Sequence, residues 1–159
     1  MPEIERKFLA SALPAGRDAD RAEPIAQGYL AIAPDGVEVR IRRRGETTTL
    51  TVKSGPAMVR VEEEIPIDAD RFASLWPLTE GRRLDKVRHY VPLDGGLEAE
   101  VDVYGGALEG LLTAEIEFAS EADARAFVPP PWLGEEVTGD PAYANQALAV
   151  RPAPEPPPG

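Results

Sequence analysis

Hydrophobic and charged residues alternate along most of the chain, which predicts a protein built mainly from β-strands. In Val39-Arg40-Ile41-Arg42, for example, every second side chain is charged and its neighbours are aliphatic. The same alternation predicts strands at residues 2–9, 25–33, 36–44, 47–54, 58–67, 82–91, 96–104 and 111–119. Turn residues such as Gly45-Glu46 separate neighbouring strands, and such short connections favour antiparallel hairpins.

A few short helices are expected to accompany the strands. Capping residues predict helices that start near Asp68, after Ser120 and after Asp140. The last of them is expected to run to about Val150, whereas residues 11–24 predict a loop or a short helical turn. The sequence therefore predicts one domain, residues 1–150, followed by a proline-rich tail, residues 151–159, that we expect to be disordered.

Composition narrows the chemistry that this domain could perform. There is no cysteine and the single histidine is His89, which excludes thiol nucleophiles and cysteine-rich zinc sites. The net charge of −11 argues against a nucleic-acid partner. No apolar stretch reaches the roughly 18 residues that a membrane span needs, and no basic segment followed by a hydrophobic one is present. We therefore expect a cytoplasmic protein without a membrane partner.

The charged residues of each predicted strand share one face, because side chains alternate across a strand. An antiparallel sheet with one face in water would explain this pattern equally well. Two details favour an enclosed charged face: it carries almost only long ionic side chains, and about eight strands suffice to close a small barrel. The predicted fold is α+β and mainly β: an eight-stranded antiparallel β-barrel tunnel with a charged lumen and helices packed outside.

An enclosed face of this kind would need compensating ions. Two carboxylates about 4 Å apart repel each other by roughly 4 kcal/mol at an effective dielectric constant near 20. Carboxylates without histidine or cysteine partners select hard cations such as Mg²⁺ or Mn²⁺. Neighbouring arginine and lysine side chains suit phosphate oxygens. Together these groups predict a metal-dependent phosphoryl site.

The order of the charged motifs resembles that of the CYTH superfamily, also called triphosphate tunnel metalloenzymes. Its hallmark is an N-terminal Glu-x-Glu-x-Lys, formed here by Glu3, Glu5 and Lys7. The further matches, in order, are Gln27-Gly28-Tyr29-Leu30, Arg40-x-Arg42, Thr51-Val52-Lys53, Arg60-x-Glu62-x-Glu64, Lys86-x-Arg88, Glu100-x-Asp102, Glu115-x-Glu117 and Val137-Thr138-Gly139-Asp140. The resemblance covers nearly all of residues 2–150.

The resemblance implies a metal site and a phosphate site inside the tunnel. The implied ligands of one or two Mg²⁺ or Mn²⁺ ions are Glu3, Glu5, Glu62, Glu64, Asp102, Glu115 and Glu117. The implied phosphate contacts are Lys7, Arg40, Arg42, Lys53, Arg60, Lys86 and Arg88. The implied catalytic residues are Glu5 and Glu117, on the side of the attacking water, and Lys7 at the phosphate.

The implied activity is hydrolysis of inorganic triphosphate (tripolyphosphate) to phosphate and pyrophosphate, so the expected partner is a small triphosphate or polyphosphate. Three alternatives stay open: hydrolysis of organic triphosphates such as nucleoside or thiamine triphosphate, adenylate cyclase chemistry, and a non-catalytic module that binds polyphosphate or nucleotides. Aromatic residues make up only 6% of the chain, so no platform for a base is evident. The sequence leaves the oligomeric state open, a homodimer included.

Overall fold

The computed structural model describes residues 4–54 and 61–150, which form an antiparallel sheet of nine strands that curls into a tunnel. The strands are β1 (Ile4–Ala10), β2 (Asp18–Ile32), β3 (Glu38–Arg44), β4 (Thr47–Lys53), β5 (Glu62–Pro66), β6 (Arg83–Pro92), β7 (Glu98–Tyr104), β8 (Leu112–Phe118) and β9 (Leu133–Glu136). Their order across the sheet is β5-β4-β3-β2-β6-β7-β8-β1-β9. Within the described residues, β5 and β9 are the two edges, so the sheet is curled but not closed.

The helices are short, and the first two begin at the predicted caps Asp68 and Ser120. They are α1 (Ala69–Leu75), α2 (Glu121–Ala126) and α3 (Asn145–Val150), and a 3₁₀ turn, Trp76–Thr79, follows α1. The Asp68 carboxylate accepts a hydrogen bond from the Arg71 amide (2.7 Å), and the Ser120 hydroxyl accepts one from the Asp123 amide (3.0 Å). These bonds satisfy amide groups that the first turn of a helix leaves free. None of the helices in the described part of the chain is long and apolar enough to cross a membrane.

The mainly antiparallel β-fold is confirmed, with three local differences from the prediction. First, β9 is an additional short strand at the edge beside β1. Second, β2 begins at Asp18 within the segment predicted as a loop. Third, the predicted third helix is divided: a 3₁₀ turn, Pro141–Tyr143, precedes α3, because Ala144 between them has extended backbone angles (φ −66°, ψ 141°).

An apolar layer lies on the outer side of the sheet. Phe8, Val101 and Ile116 are almost completely buried there, and Ala124 of α2 packs on them. Burying a large aliphatic or aromatic side chain contributes about 1.5–3 kcal/mol, so this layer fixes which face of β1, β7 and β8 points outwards. The alternate residues of the same strands must therefore face the tunnel.

Gly28 allows the 3₁₀ turn to approach β2 closely. A Cβ atom at this position would lie 2.5 Å from the Thr79 Oγ1 atom, which is too close for any side chain. The adjacent Tyr29 amide donates to the Arg82 carbonyl oxygen at 2.9 Å and so continues the same contact. The close approach of Thr79 thus explains why position 28 of an otherwise regular strand is a glycine.

Some predictions fall outside the described residues. They concern Glu3, Arg60, residues 58–60 of the fifth predicted strand, and the tail at residues 151–159.

Candidate active site

The register of three neighbouring strands collects acidic side chains on the inner face. Glu5 of β1 lies opposite Glu117 of β8, and Lys7 lies opposite Glu115. Glu115 in turn lies opposite Glu100 of β7. Directly opposed residues of antiparallel strands have Cβ atoms about 4.5–5.5 Å apart, and like charges in such pairs are destabilising. The sheet therefore holds two carboxylate pairs that an added cation would stabilise.

These residues border a cavity of about 800 Å³ inside the tunnel. Acidic side chains at its wall are Glu5, Glu38, Glu62, Glu98, Glu100, Glu115, Glu117 and Asp140. Basic side chains at its wall are Lys7, Arg40, Arg42, Lys53 and Arg88. Within the part of the chain that the structure describes, the wall thus carries eight formal negative charges and five positive ones. The cavity has both signs of charge, with an excess of acid.

The arginines of β3 form a cationic side of this cavity. Arg40 is buried, and its Nη1 atom lies 3.8 Å from the Glu38 carboxylate. Its Nε group has no hydrogen-bond partner among the described residues. The Arg42 Nη2 atom lies 3.6 Å from the Glu64 carboxylate, and burial, followed by the neighbouring charge of Arg40, lowers the pKa of Arg42. An unpaired buried donor costs about 1–3 kcal/mol, which an anionic oxygen would relieve.

Asp102 binds two cations on the inner face of β6 and β7. Its carboxylate accepts two hydrogen bonds from Arg88 (2.9 and 3.0 Å) and lies 2.8 Å from the Lys86 ammonium. Burial would raise the pKa of Asp102, but the charges and hydrogen bonds of Lys86 and Arg88 outweigh it and lower the pKa. Burial lowers the pKa of Lys86, which Asp102 offsets only in part. This cluster fixes the Arg88 guanidinium at the cavity wall.

Lys7 is held at the cavity wall by two oxygen partners. Its ammonium group donates to the Tyr143 carbonyl oxygen at 2.7 Å and lies 3.6 Å from the Glu115 carboxylate. The Glu100 carboxyl, opposite Glu115, has its pKa raised mainly by burial, an effect that Arg88 opposes and Glu115 reinforces. A raised pKa means that the negative charge of the carboxylate is poorly stabilised by its surroundings. A cation bound beside Glu100 would therefore stabilise it.

The structure brings most of the predicted site residues together. Glu5, Lys7, Arg40, Arg42, Lys53, Glu62, Arg88, Glu115 and Glu117 all line the cavity. Glu64, Lys86 and Asp102 do not belong to its lining: Glu64 pairs with Arg42, and the other two form the cluster with Arg88. The Lys53 ammonium lies 3.9 Å from the Glu62 carboxylate. A predicted phosphate contact and a predicted metal ligand thus form an ion pair with each other.

Some residues of the cavity wall were not among the predicted metal ligands or phosphate contacts. These are Tyr29, Glu38, Glu98, Glu100 and residues of the segment from Val137 to Gln146. Tyr29, Glu100 and Val137-Thr138-Gly139-Asp140 belong to the motifs of the resemblance, but no role was assigned to them. Glu38 has the same parity as Arg40, and Glu98 and Glu100 the parity of Asp102, so strand alternation places these acids on the charged face.

A hydrogen-bond network that joins β2, β3 and β6 should make the stability of the fold depend on pH. Arg44 donates to Glu23 at 2.7 and 3.0 Å and to the Tyr90 hydroxyl at 2.8 Å, and Tyr90 donates to Glu23 at 2.5 Å. The hydrogen bonds from Arg44 and Tyr90 lower the pKa of Glu23 from 4.5 to about 2. A carboxyl with a lowered pKa stabilises the fold above its unfolded-state pKa, and this contribution is lost as the pH falls towards the folded-state value.

Replacing Glu23 by Gln should therefore reduce the free energy of unfolding at pH 7, by an amount that shrinks as the pH falls from 4.5 towards 2. Urea unfolding of the wild type and E23Q at pH 7, 4 and 2.5 measures this difference. A difference that stays constant over this pH range would contradict the role of Glu23.

A tunnel whose inner wall carries both carboxylates and cations is typical of the class of proteins that bind a polyanion together with positive ions. No family model matches the chain. It is 48% identical over 150 residues to an inorganic triphosphatase of Nitrosomonas europaea, covering 94% of this chain and 98% of that protein. It is 36% identical over 153 residues to an inorganic triphosphatase of Acetivibrio thermocellus, covering 94% of each.

Solved structures agree with these relatives. A crystal structure of an inorganic triphosphatase superposes with a TM-score of 0.79 at 46% identity, over 95% of this chain and 96% of that one. A Hippeastrum protein with a dominant triphosphatase activity matches at a TM-score of 0.54 and 15% identity, over 78% of this chain and 83% of that one, which is a likeness of fold alone. The chain belongs to the CYTH family of inorganic triphosphatases, whose members are generally metal-dependent.

Proposed function

We propose that this protein hydrolyses inorganic triphosphate to phosphate and pyrophosphate with the help of a divalent cation. The observation that carries the proposal is the cavity of about 800 Å³ whose wall combines carboxylates with arginine and lysine side chains. The two relatives, at 48% and 36% identity, are inorganic triphosphatases, which supports the same reaction.

The charge of the wall supports a requirement for a metal ion. A triphosphate carries several negative charges, and the described wall has three more acidic than basic side chains. Bringing such an anion to this wall without added cations would be repulsive. Oxygen donors without histidine or cysteine suit Mg²⁺ or Mn²⁺, so the residues present fit either ion.

We propose Glu5, Glu115 and Glu117 as the principal ligands. No three histidine or acidic side chains within residues 4–54 and 61–150 are arranged closely enough to hold a metal ion by themselves. Mg²⁺ usually binds through one or two carboxylates together with waters and substrate phosphates, so this arrangement suits an ion that arrives with the substrate.

The remaining predicted ligands lie beside cations. Glu62 faces Lys53, Glu64 faces Arg42, and Asp102 faces Lys86 and Arg88. We propose that these acids compensate the cations until the anion binds, and that Glu62 and Glu64 then become available to an ion. Glu3 and Arg60 stay in the proposed site on the resemblance alone.

The reaction that we propose is direct attack of water on a terminal phosphorus, without a covalent intermediate. Lys7, Arg40, Arg42, Lys53 and Arg88 bind the phosphate oxygens, the arginines through paired hydrogen bonds. Glu5 and Glu117 lie on the side of the attacking water, and one of the two carboxylates accepts its proton while the bond from the terminal phosphorus to the pyrophosphate oxygen breaks. The bound ion supplies charge neutralisation for the phosphate oxygens. Catalysis then rests mainly on positioning and electrostatic stabilisation.

Organic triphosphates are the second substrate class. Tyr29 and Tyr143 line the cavity, but both side chains are almost completely buried, with 0% and 6% exposure. They therefore offer little open aromatic surface on which a base could stack. Inorganic triphosphate is the better match for a wall that consists mostly of charges.

Removing divalent ions tests this function. Protein treated with EDTA should release no phosphate from triphosphate, and Mg²⁺ or Mn²⁺ should restore the release, because the ion compensates the acidic wall. The assay measures phosphate, pyrophosphate and cyclic nucleotide with triphosphate, ATP and thiamine triphosphate in parallel.

If ATP or thiamine triphosphate were hydrolysed faster than inorganic triphosphate, that compound would be the better substrate and the proposed one would be wrong. Formation of cyclic nucleotide would indicate a cyclase. Binding of triphosphate without any turnover would indicate a non-catalytic module. Full activity in EDTA would contradict the metal requirement.

A further inference from the structure

The segment that follows β9 is attached to the backbone of Lys7. The Val137 amide donates to the Lys7 carbonyl oxygen at 2.8 Å, and the Lys7 amide donates to the Thr138 hydroxyl at 2.9 Å. The same segment supplies the Tyr143 carbonyl oxygen that accepts from the Lys7 ammonium at 2.7 Å. Both ends of Lys7, its backbone and its charged group, are therefore bound to this one segment.

The Thr138 hydroxyl is oriented by a carboxylate. It donates to Glu136 at 2.6 Å, which leaves its oxygen as the acceptor for the Lys7 amide. Glu136 is held by a fork of two hydrogen bonds from Arg6, at 3.0 and 2.6 Å. Paired bonds of this kind fix the plane of the carboxylate as well as its distance.

Arg6 is itself fixed on the outer side of β1. Its guanidinium lies over the rings of Phe8 and Phe127, 5.2 and 5.7 Å from their centroids. It also donates to the carbonyl oxygens of Ala124 (2.8 Å) and Phe127 (3.2 Å). A guanidinium with this many partners has one well-defined position.

The chain of contacts from Arg6 through Glu136 and Thr138 ends at Lys7. We infer that Glu136 and Thr138 are positioning residues for triphosphate hydrolysis, which hold Lys7 at the cavity wall; this inference rests on the proposed function. In this role they act through Lys7. The role also explains why the motif Val137-Thr138-Gly139-Asp140 belongs to the site.

Two substitutions of Thr138 test the inference. Thr138→Val keeps the shape of the side chain and removes the hydroxyl, so kcat/KM for triphosphate should fall about tenfold through misplacement of Lys7. Thr138→Ser restores the hydroxyl and should recover most of this loss. The Mg²⁺ concentration that gives half-maximal activity should not change in either variant, because neither removes an ion ligand.

A second measurement does not depend on activity. Hydrogen exchange of the Lys7 amide, followed by NMR, should be about tenfold faster in T138V than in the wild type, because the amide loses its acceptor. Glu136→Gln should reduce kcat/KM in the same direction, whereas Glu121→Gln, which breaks an exposed ion pair with Arg125, should not.

Full activity of T138V, or equal losses in T138V and T138S, would overturn the inference. A wild-type protein that does not hydrolyse triphosphate would overturn the proposed function instead. In that case unchanged exchange of the Lys7 amide in T138V would still overturn the positioning role, and faster exchange would support the contact.

Discussion

Replacing Glu5 by Gln should reduce the turnover of triphosphate by about 10²–10⁴-fold, the range expected when a catalytic acid or base is lost. The amide has the size of the carboxylate but neither accepts a proton nor binds a hard cation well. Glu5 lies opposite Glu117 at the cavity wall, so its removal changes the acidic pair that we place beside the water. Steady-state phosphate release measures the loss.

The control for this substitution is Glu109→Gln. Glu109 is exposed and lies outside the cavity wall, so E109Q removes the same charge from the chain without touching the site. We expect E5Q and E109Q to unfold at similar temperatures and to differ only in activity. If E5Q kept the activity of E109Q, Glu5 would be neither an ion ligand nor a base.

Replacing Asp102 by Asn should have the largest effect on stability. Asp102 compensates Lys86 and Arg88, whose side chains are 1% and 13% exposed. Asn keeps the shape and one acceptor oxygen but removes the counter-charge of buried Lys86, and it leaves Arg88 with only the Glu100 carboxylate at 3.4 Å. Removing one member of a buried ion pair typically costs about 3–5 kcal/mol, and we expect a loss of this order in the free energy of unfolding in urea.

Two control variants test whether the loss of stability comes from the loss of counter-charge beside the buried cations. Lys86→Met leaves Asp102 paired with Arg88 and should destabilise the protein less than D102N. Glu121→Gln removes an exposed pair and should change the stability by at most about 1 kcal/mol. A D102N protein as stable as the wild type would contradict the assigned cluster.

The alternation of charged and apolar residues was sufficient to predict most strands, because strands such as β1, β7 and β8 have one apolar outer face. It failed at Asp18–Glu23, where the pairing with β6 is irregular: β2 advances five residues while β6 advances two. The extra residues break the two-residue period, so no strand pattern is visible before Glu23. β9 was missed for a related reason, since Leu133–Glu136 contains Gly134 and only one buried side chain.

The site was predictable to the extent that strand parity determines it. Parity places Glu5, Lys7 and Glu117 on one face, and the structure confirms that they line a common cavity. Parity cannot say which acid pairs with which cation, because that depends on the register between strands. The Asp102 cluster with Lys86 and Arg88 is the clearest example.

Contacts from outside the parity pattern were not predictable either. Thr138 lies in a motif of the resemblance, but the motif does not indicate that its hydroxyl and the main-chain carbonyl oxygen of Tyr143 bind Lys7. The roles of individual site residues, the identity of the ion and the cytoplasmic location stay predictions.

Hydrolysis of inorganic triphosphate by the charged cavity with a divalent ion can be followed directly by ³¹P NMR. Triphosphate is incubated with the purified protein and Mg²⁺ or Mn²⁺. We expect the triphosphate signals to decay while phosphate and pyrophosphate appear in equal amounts, and E5Q to form neither product at a comparable rate. Unchanged triphosphate signals with both ions would contradict the proposed function.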